Sequence, residues 1–287
     1  MGEIKLIECP RDAMQGIRQF IPTKAKVRYI QSLLQVGFDT IDFGSFVSPK
    51  AIPQMRDTAE VLGQLDLSST RTKLLAIVAN IRGAQQAASF SEIDYLGYPF
   101  SISENFQMRN THHTIAQSVK VLEQILEISQ HSNKEVVAYL SMGFGNPYGD
   151  PWSVEIVSAW TERLAAMGVR ILSLSDTVGS SNPEVITYLF SELIPRFPEI
   201  EFGAHLHTTP STWFEKINAA FTSGCNRFDG AIQGFGGCPM AKDELTGNMP
   251  TEKMFSYFNT KKQQIGLRMG SFEAAYNKAS EIFSNYS

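Results

Sequence analysis

The stretch VEIVSAWTERLAAMGVRILSLSDT, residues 154–177, contains the repeating unit that decides the fold of this chain. Residues 154–167 distribute apolar and polar side chains as an amphipathic helix does. Gly168 then ends the helix, because glycine readily adopts the left-handed conformation found at helix ends. Residues 171–174 form a short apolar run, typical of a buried parallel strand, and polar residues follow directly. The stretch therefore predicts one helix–strand unit of an α/β protein.

The same unit recurs from one end of the chain to the other. Glycine separates a helical segment from a strand again at Gly37 and Gly224. Eight strand–helix units of roughly thirty residues fill the chain closely. The predicted strands are residues 4–9, 40–43, 73–79, 93–98, 135–140, 171–174, 201–205 and 227–231, and the predicted helices include 24–35, 111–129, 154–167, 183–195 and 212–222.

This alternation predicts a single α/β domain over residues 1–287, folded as a (β/α)8 TIM barrel. The last barrel helix begins at about residue 251, and an extra C-terminal helix is expected over residues 272–283. An open doubly wound sheet would produce the same alternation. The count of eight strands favours the barrel, as does the absence of a GxGxxG turn after the first strand.

Composition excludes several classes of function. Hydrophobic residues make up 43% of the chain and charged residues 19%, a balance that excludes wholesale disorder. The net charge is −4 and the basic residues are scattered, which disfavours nucleic-acid binding. Three cysteines without a CxxC pair indicate a reducing compartment. With neither a signal peptide nor a run of 18 apolar residues, we expect a soluble cytoplasmic protein without membrane contact.

Polar side chains follow several predicted strands at their carboxyl ends, where barrels gather their functional groups. Two histidines on alternate residues of a strand project to the same side and can share one metal ion. An HxH pair alone also fits histidines that merely cap a strand end. The residues at these ends are Arg11 and Asp12, Asp42, Asp176, and the pair His205 and His207.

Each of the other candidates has a structural alternative. Asp12 could cap a helix or pair with Arg11, and Asp42 could be only the partner of an arginine. Asp176 could belong to a turn. Cys238 lies in a glycine-rich loop, where a thiol could serve as a proton donor or be inert. The combination of carboxylates and histidines at converging strand ends favours a catalytic metal site.

Several motifs follow one another along nearly the whole chain. They are Pro10-Arg11-Asp12 with Gln15, residues 45–50 (SFVSPK), Pro53-Gln54-Met55, residues 176–179 (DTVG), His205-Leu206-His207, residues 236–239 (GGCP) and Gly247-Asn248. In these motifs and in their order, the sequence resembles the 3-hydroxy-3-methylglutaryl-CoA lyases, which are metal-dependent barrels.

The resemblance implies cleavage of 3-hydroxy-3-methylglutaryl-CoA to acetoacetate and acetyl-CoA. It places the metal ligands at Asp12, His205, His207 and Asn248, a mixed oxygen and nitrogen set suited to Mg²⁺ or Mn²⁺. It also implies a homodimer.

The resemblance further assigns roles in the reaction. His205, Asp42 and Asp176 compete for the role of base. Arg11 would stabilise an enolate oxygen, and Cys238 would protonate the product carbon. The acyl-CoA substrate would be bound by Arg11, Gln15 and Arg18, with Arg18 near a CoA phosphate.

The chain departs from the family pattern at four positions. Asp42 stands where the family has glutamate, Thr208 where it has aspartate, Ala13 where it has glycine, and Asn146 where a cysteine is common. These departures keep two alternatives open. One is a paralogous lyase or aldolase acting on another 3-hydroxyacyl-CoA, and the other is a barrel that binds metal or CoA without catalysis.

Overall fold

The computed structural model describes residues 2–237 and 246–286. Eight parallel strands pair in chain order and the last pairs with the first, so the sheet closes into a barrel. This confirms the predicted barrel and excludes the open sheet. The strands are β1 Lys5–Glu8, β2 Thr40–Ser45, β3 Lys73–Ile77, β4 Tyr95–Ser101, β5 Glu135–Ser141, β6 Ile171–Ser175, β7 Glu201–His205 and β8 Arg227–Gly230.

Helices surround the barrel, and the predicted extra helix is present at the C-terminal end of the described chain. It packs against the helix Thr23–Leu34, where the rings of Phe283 and Tyr29 meet edge to face. The helices are α1 Pro10–Gln15, α2 Thr23–Leu34, α3 Thr58–Leu62, α4 Ile81–Ala88, α5 Glu104–Thr111, α6 Ile115–His131, α7 Val154–Ala166, α8 Pro183–Arg196, α9 Trp213–Thr222, α10 Thr251–Thr260 and α11 Met269–Tyr286.

The C-terminal helix extends beyond the predicted residues 272–283 at both ends. The predicted start of the helix before β5 is also wrong, and local capping explains that difference. The helix expected to start at residue 111 starts at Ile115, because Thr114 and Gln117 form a reciprocal capping box there. A separate helix, α5, precedes it and was not predicted. It ends where His112 adopts a left-handed conformation with φ of 59°.

The core has two parts. The larger part lies between the strands and the surrounding helices. The smaller part fills the interior of the barrel and consists of Leu75, Ile77, Tyr95, Val137, Tyr139 and Ile171. No helix in the described residues is long and apolar enough to cross a bilayer.

Two local features deliver side chains to the carboxyl-terminal mouth of the barrel. The pairing of β2 with β3 shifts register between Asp42 and Gly44, a bulge that redirects the end of β2. Gly44 is required there, since a Cβ would lie 2.4 Å from a methyl carbon of Thr58. Beyond β7, residues 207–208 pair antiparallel with residues 247–248, which brings Asn248 opposite His207.

Candidate functional site

Arg11 is held at the barrel mouth by three acceptors. It lies in the first turn of α1, directly after β1, and is 8% exposed. Its Nε donates to Oδ1 and Oδ2 of Asp42 at 3.2 and 3.0 Å, and its Nη2 donates to Oδ2 at 2.5 Å. Its Nη1 donates to Asp12 at 3.0 Å and to Gln15 at 2.9 Å. Such a bidentate contact fixes the plane of the guanidinium, so Arg11 presents a fixed cation to the mouth.

The Arg11–Asp42 pair lies out of water, and its electrostatics reflect this. Burial raises the pKa of Asp42 to about 6, although the adjacent guanidinium favours the charged carboxylate. Burial alone would lower the pKa of Arg11, but Asp42 and Asp12 raise it above its ordinary value. Arg11 therefore remains charged at every accessible pH, while Asp42 titrates close to the neutral range.

Asp12 links Arg11 to Asn248, which lies 236 residues later in the sequence. Its Oδ1 accepts hydrogen bonds from Arg11 and, at 2.7 Å, from Gln15. Its Oδ2 accepts from Nδ2 of Asn248 at 2.7 Å, and the same amide nitrogen donates to the carbonyl of Phe235 at 2.8 Å. The side-chain NH₂ of Asn248 thus donates both of its hydrogen bonds within the protein. The side-chain oxygen Oδ1 is left as the atom available to a metal.

The two histidines converge with Asp12. One ligand atom from each of Asp12, His205 and His207 lies within 4.8 Å of the others. Nδ1 of His205 lies 3.1 Å from Oδ2 of Asp229, and Nδ1 of His207 lies 3.0 Å from the carbonyl of Thr177. Nε2 of His207 is buried without a hydrogen-bonding partner among the described residues. A buried, unpartnered nitrogen beside a carboxylate is what a metal site requires.

The protonation of His207 suits a ligand role. Burial lowers its pKa to about 4, and the neighbouring His205 adds to the effect. At neutral pH the ring is uncharged and Nε2 offers a lone pair. Burial would also lower the pKa of His205, but Asp229 raises it above its ordinary value.

Asp176 is engaged behind His207. Its Oδ2 accepts from Nζ of Lys216 at 2.8 Å and from the Ser181 hydroxyl at 2.5 Å. The same ammonium donates to the carbonyls of His207, at 2.8 Å, and Gly179, at 3.2 Å. These bonds connect the Asp176 carboxylate to the backbone of His207.

The remaining candidates differ in their surroundings. Gln15 is half-buried and bonded to both Arg11 and Asp12, whereas Arg18 is exposed in the segment between α1 and α2. Cys238 lies outside the described residues. The hydroxyl of Thr208 donates to the backbone carbonyl of Asn248 at 3.5 Å. It makes no hydrogen bond to either histidine ring in the described chain. Both rings find acceptors elsewhere, so threonine at this position leaves neither imidazole without an anchor.

Sequence reasoning missed two charged residues near the histidines. Asp229 and Lys216 are both 2% exposed. Asp229 could have been found by the pattern that identified Asp42, a carboxylate inside an otherwise apolar strand. Lys216 gives no comparable signal, because lysine on an amphipathic helix is ordinarily solvent-exposed.

A cavity of about 380 Å³ borders His207, one of the predicted metal ligands. Its volume is within the range of small-molecule sites. The residues that line it come mainly from the segments after β5, β6 and β7, with Lys216 from α9, and include Asn146, Gly179, Ser181, His207, Thr208 and Lys216. Two of the four departures from the family pattern, Asn146 and Thr208, thus line the same cavity, next to His207.

Comparison with known proteins finds relatives over most of the chain. The HMGL-like family model matches residues 4–278. The cytoplasmic 3-hydroxy-3-methylglutaryl-CoA lyase of Rattus norvegicus is 33% identical over 259 residues, which are 89% of this chain and 74% of the rat protein.

Solved lyase structures have the same fold. The HMG-CoA lyase of Brucella melitensis superposes with a TM-score of 0.90 at 26% identity, covering 98% of this chain and 99% of that one. The HMG-CoA lyase of Acinetobacter baumannii, in complex with coenzyme A and 3-methylmalate, gives 0.89 at 27% identity, covering 98% and 92%.

Proposed function

Since the chain belongs to the HMGL-like family, we propose that it is a metal-dependent carbon–carbon lyase that cleaves 3-hydroxy-3-methylglutaryl-CoA to acetoacetate and acetyl-CoA. The observation that carries this proposal is the convergence of Asp12, His205 and His207 around a buried, unpartnered imidazole nitrogen. The acyl-CoA substrate class is supported by the likeness to a lyase crystallised with coenzyme A.

The residues present fit a divalent cation. Asp12 and Asn248 offer oxygen, and His205 and His207 offer nitrogen, a set that suits Mg²⁺ or Mn²⁺. When bound, such a cation would hold the hydroxyl and carboxylate of the substrate and make the hydroxyl easier to deprotonate.

The protein's own groups then divide the proton transfers between them. A base takes the hydroxyl proton, and the bond between the carbinol carbon and the α-carbon of the thioester breaks. Of the three candidates for the base, we favour Asp42, which lies beside Arg11 at the barrel mouth and has a pKa raised by burial to about 6. Nδ1 of His205 faces Asp229 and its other nitrogen is assigned to the metal, while Asp176 lies behind His207, bonded to Lys216 and Ser181. Arg11, fixed by Asp42, stabilises the oxygen of the acetyl-CoA enolate. Cys238 gives a proton to the α-carbon, which completes acetyl-CoA.

Two further expectations accompany this function. The rat relative is the cytoplasmic form, and Cys9 and Cys225 are free thiols, so the cytoplasm is the compartment we propose. The family resemblance also leads us to expect a homodimer.

The test uses metal-stripped protein and 3-hydroxy-3-methylglutaryl-CoA. Addition of Mg²⁺ or Mn²⁺ should start the release of acetoacetate, and His207→Ala or Cys238→Ala should abolish most of it. His131→Ala is the matched control, because that histidine is exposed at the end of α6. Turnover that persists in the His207 and Cys238 variants would contradict the assigned mechanism.

A second candidate rests on Asp42, whose side chain is one methylene shorter than the glutamate of the family. It is a lyase of the same chemistry on a different 3-hydroxyacyl-CoA. Other 3-hydroxyacyl thioesters should therefore be assayed in parallel. Turnover of one of these alone would select the paralogue, and binding without any turnover would select the non-catalytic barrel.

A further inference from the structure

Asp229 lies directly behind one of the proposed metal ligands. It is 2% exposed, in β8, and its Oδ2 is 3.1 Å from Nδ1 of His205. The Ser173 hydroxyl donates to the same oxygen at a longer distance, 3.4 Å. Oδ1 of Asp229 is buried and has no hydrogen-bonding partner in the described chain. Of the two hydrogen-bonding contacts to the Asp229 carboxylate, the one with the imidazole of His205 is therefore the shorter.

This contact fixes which nitrogen of His205 carries the proton. A carboxylate can only accept hydrogen bonds, so Nδ1 of His205 must be the protonated nitrogen. In the neutral ring Nε2 then carries the lone pair, and one ligand atom of His205 lies within 4.8 Å of those of Asp12 and His207. His207 is anchored in the same way, but by the neutral carbonyl of Thr177.

The two anchors differ in charge. A carboxylate polarises the Nδ1–H bond more strongly than a backbone carbonyl does, which makes the distal nitrogen the better donor to a cation. Carboxylate partners of ligating histidines also fix the orientation of the ring. His205, flanked by Asp229, is therefore the more strongly oriented of the two imidazoles.

We propose that Asp229 is a positioning residue, which acts through His205 by fixing its Nε2 lone pair toward the metal and so sets the metal affinity of the site. This inference rests on the proposed function, since it takes His205 as a ligand. Asp229 itself touches neither metal nor substrate in this scheme.

Mn²⁺ affinity of the full chain without substrate provides the first test, with free Mn²⁺ followed by electron paramagnetic resonance. Mn²⁺ is the probe because it prefers oxygen and nitrogen ligands to sulfur. A softer metal could bind instead at the sulfur of Cys9, which lies near His205 and Asp229. Asp229→Asn should weaken binding by roughly 10- to 100-fold. Ser173→Ala is the matched control, since it contacts the same carboxylate oxygen but not the ring, and it should change affinity by no more than about twofold.

A double-mutant cycle separates positioning from a general structural role. If Asp229 acts through His205, then Asp229→Asn should have little further effect on Mn²⁺ affinity in a His205→Ala background. If the losses of Mn²⁺ affinity in the two single variants add in full in the double variant, the inference is overturned.

The wild-type protein supplies a test that depends on no variant. Nitrogen-15 spectra of the metal-free chain, recorded above the pKa of His205, should show the neutral ring protonated at Nδ1 and not at Nε2, and a predominantly Nε2–H ring would overturn the inference even if Asp229→Asn does not fold. Wild-type protein that binds no Mn²⁺ would instead contradict the metal centre and with it the proposed function. Wild-type binding that Asp229→Asn leaves unchanged contradicts the positioning role alone.

Discussion

At the level of single side chains, the proposed chemistry depends most directly on Arg11. Three of its nitrogens donate to three different side chains, and all of these partners lie within the barrel mouth. Asp42 reaches the guanidinium although it is one methylene shorter than the glutamate of related lyases. The shorter acid therefore still makes the Arg11 contact.

Arg11→Lys should lower kcat/KM for the thioester by roughly 100- to 1,000-fold, the effect of losing one preorganised donor at an oxyanion. A lysine keeps the charge but cannot reproduce the planar fork that binds Asp42 and Asp12 together. Steady-state release of acetoacetate measures the effect. Arg82→Lys, an exposed exchange of the same kind on α4, should leave the rate unchanged. A variant at position 11 with near wild-type kcat/KM would remove Arg11 from the mechanism.

At the scale of elements, Glu8, the last residue of β1, connects that strand to the residues just after β8 and to the start of α10. It is fully buried, and its Oε1 accepts from the backbone N–H of Ile232 at 2.9 Å. Its Oε2 lies 2.6 Å from the hydroxyl of Thr251, the first residue of α10. Burial raises the pKa of Glu8 to about 8, and the nearby Glu252 contributes in the same direction. Glu8 is therefore largely protonated in the folded protein at neutral pH.

This protonation predicts a pH dependence of stability. The ordinary pKa of 4.5 applies to the unfolded chain, so between pH 4.5 and about 8 the folded protein holds a proton that the unfolded chain has lost. The contribution of Glu8 to stability is complete below pH 4.5 and falls as pH rises through this window, by about 1.4 kcal/mol per unit at most. Glu8→Gln mimics the protonated acid and cannot ionise, so its free energy of unfolding relative to wild type should increase from pH 5 to pH 8.

Urea denaturation at each pH measures this difference. Glu60→Gln provides the control, because Glu60 is exposed on α3 and should give a difference that stays small and flat across the same range. A Glu8→Gln difference that is constant with pH would show that Glu8 is ionised in the folded protein at neutral pH.

The elements were more predictable from sequence than the contacts between them. All eight barrel strands were predicted because buried parallel strands are nearly continuous apolar runs. The helix α5 was missed, since residues 104–111 are mostly polar and lack a clear apolar stripe. Asp12 and Asn248 could be assigned to the site only through the family resemblance, because their contact joins positions 236 residues apart. The anchors of the histidines, Asp229 and the Thr177 carbonyl, depend on side-chain direction, which spacing does not determine.

For the molecule as a whole, the proposed metal site joins parts of the chain that the barrel brings together only on folding. Asp12 follows β1, His205 ends β7, and Asn248 lies in the segment before α10. An unfolded chain cannot hold these groups around one ion, so a metal that binds the site should stabilise the folded state by mass action. Metal binding and global stability are therefore coupled in this fold.

Mn²⁺ should accordingly raise the melting temperature of the wild-type protein in a concentration-dependent manner, and EDTA should reverse the rise. At a concentration of 100 times Kd the stabilisation is about 2.7 kcal/mol, a shift on the order of 5 °C for a chain of this size. His207→Ala should lose most of this shift, because the neutral, unpartnered Nε2 that would face the ion is gone. Differential scanning calorimetry measures the shift, and His131→Ala should keep it because that exposed ring lies on α6, away from the mouth. An equal shift in the His207 and His131 variants would mean that Mn²⁺ stabilises the protein from somewhere other than the barrel mouth.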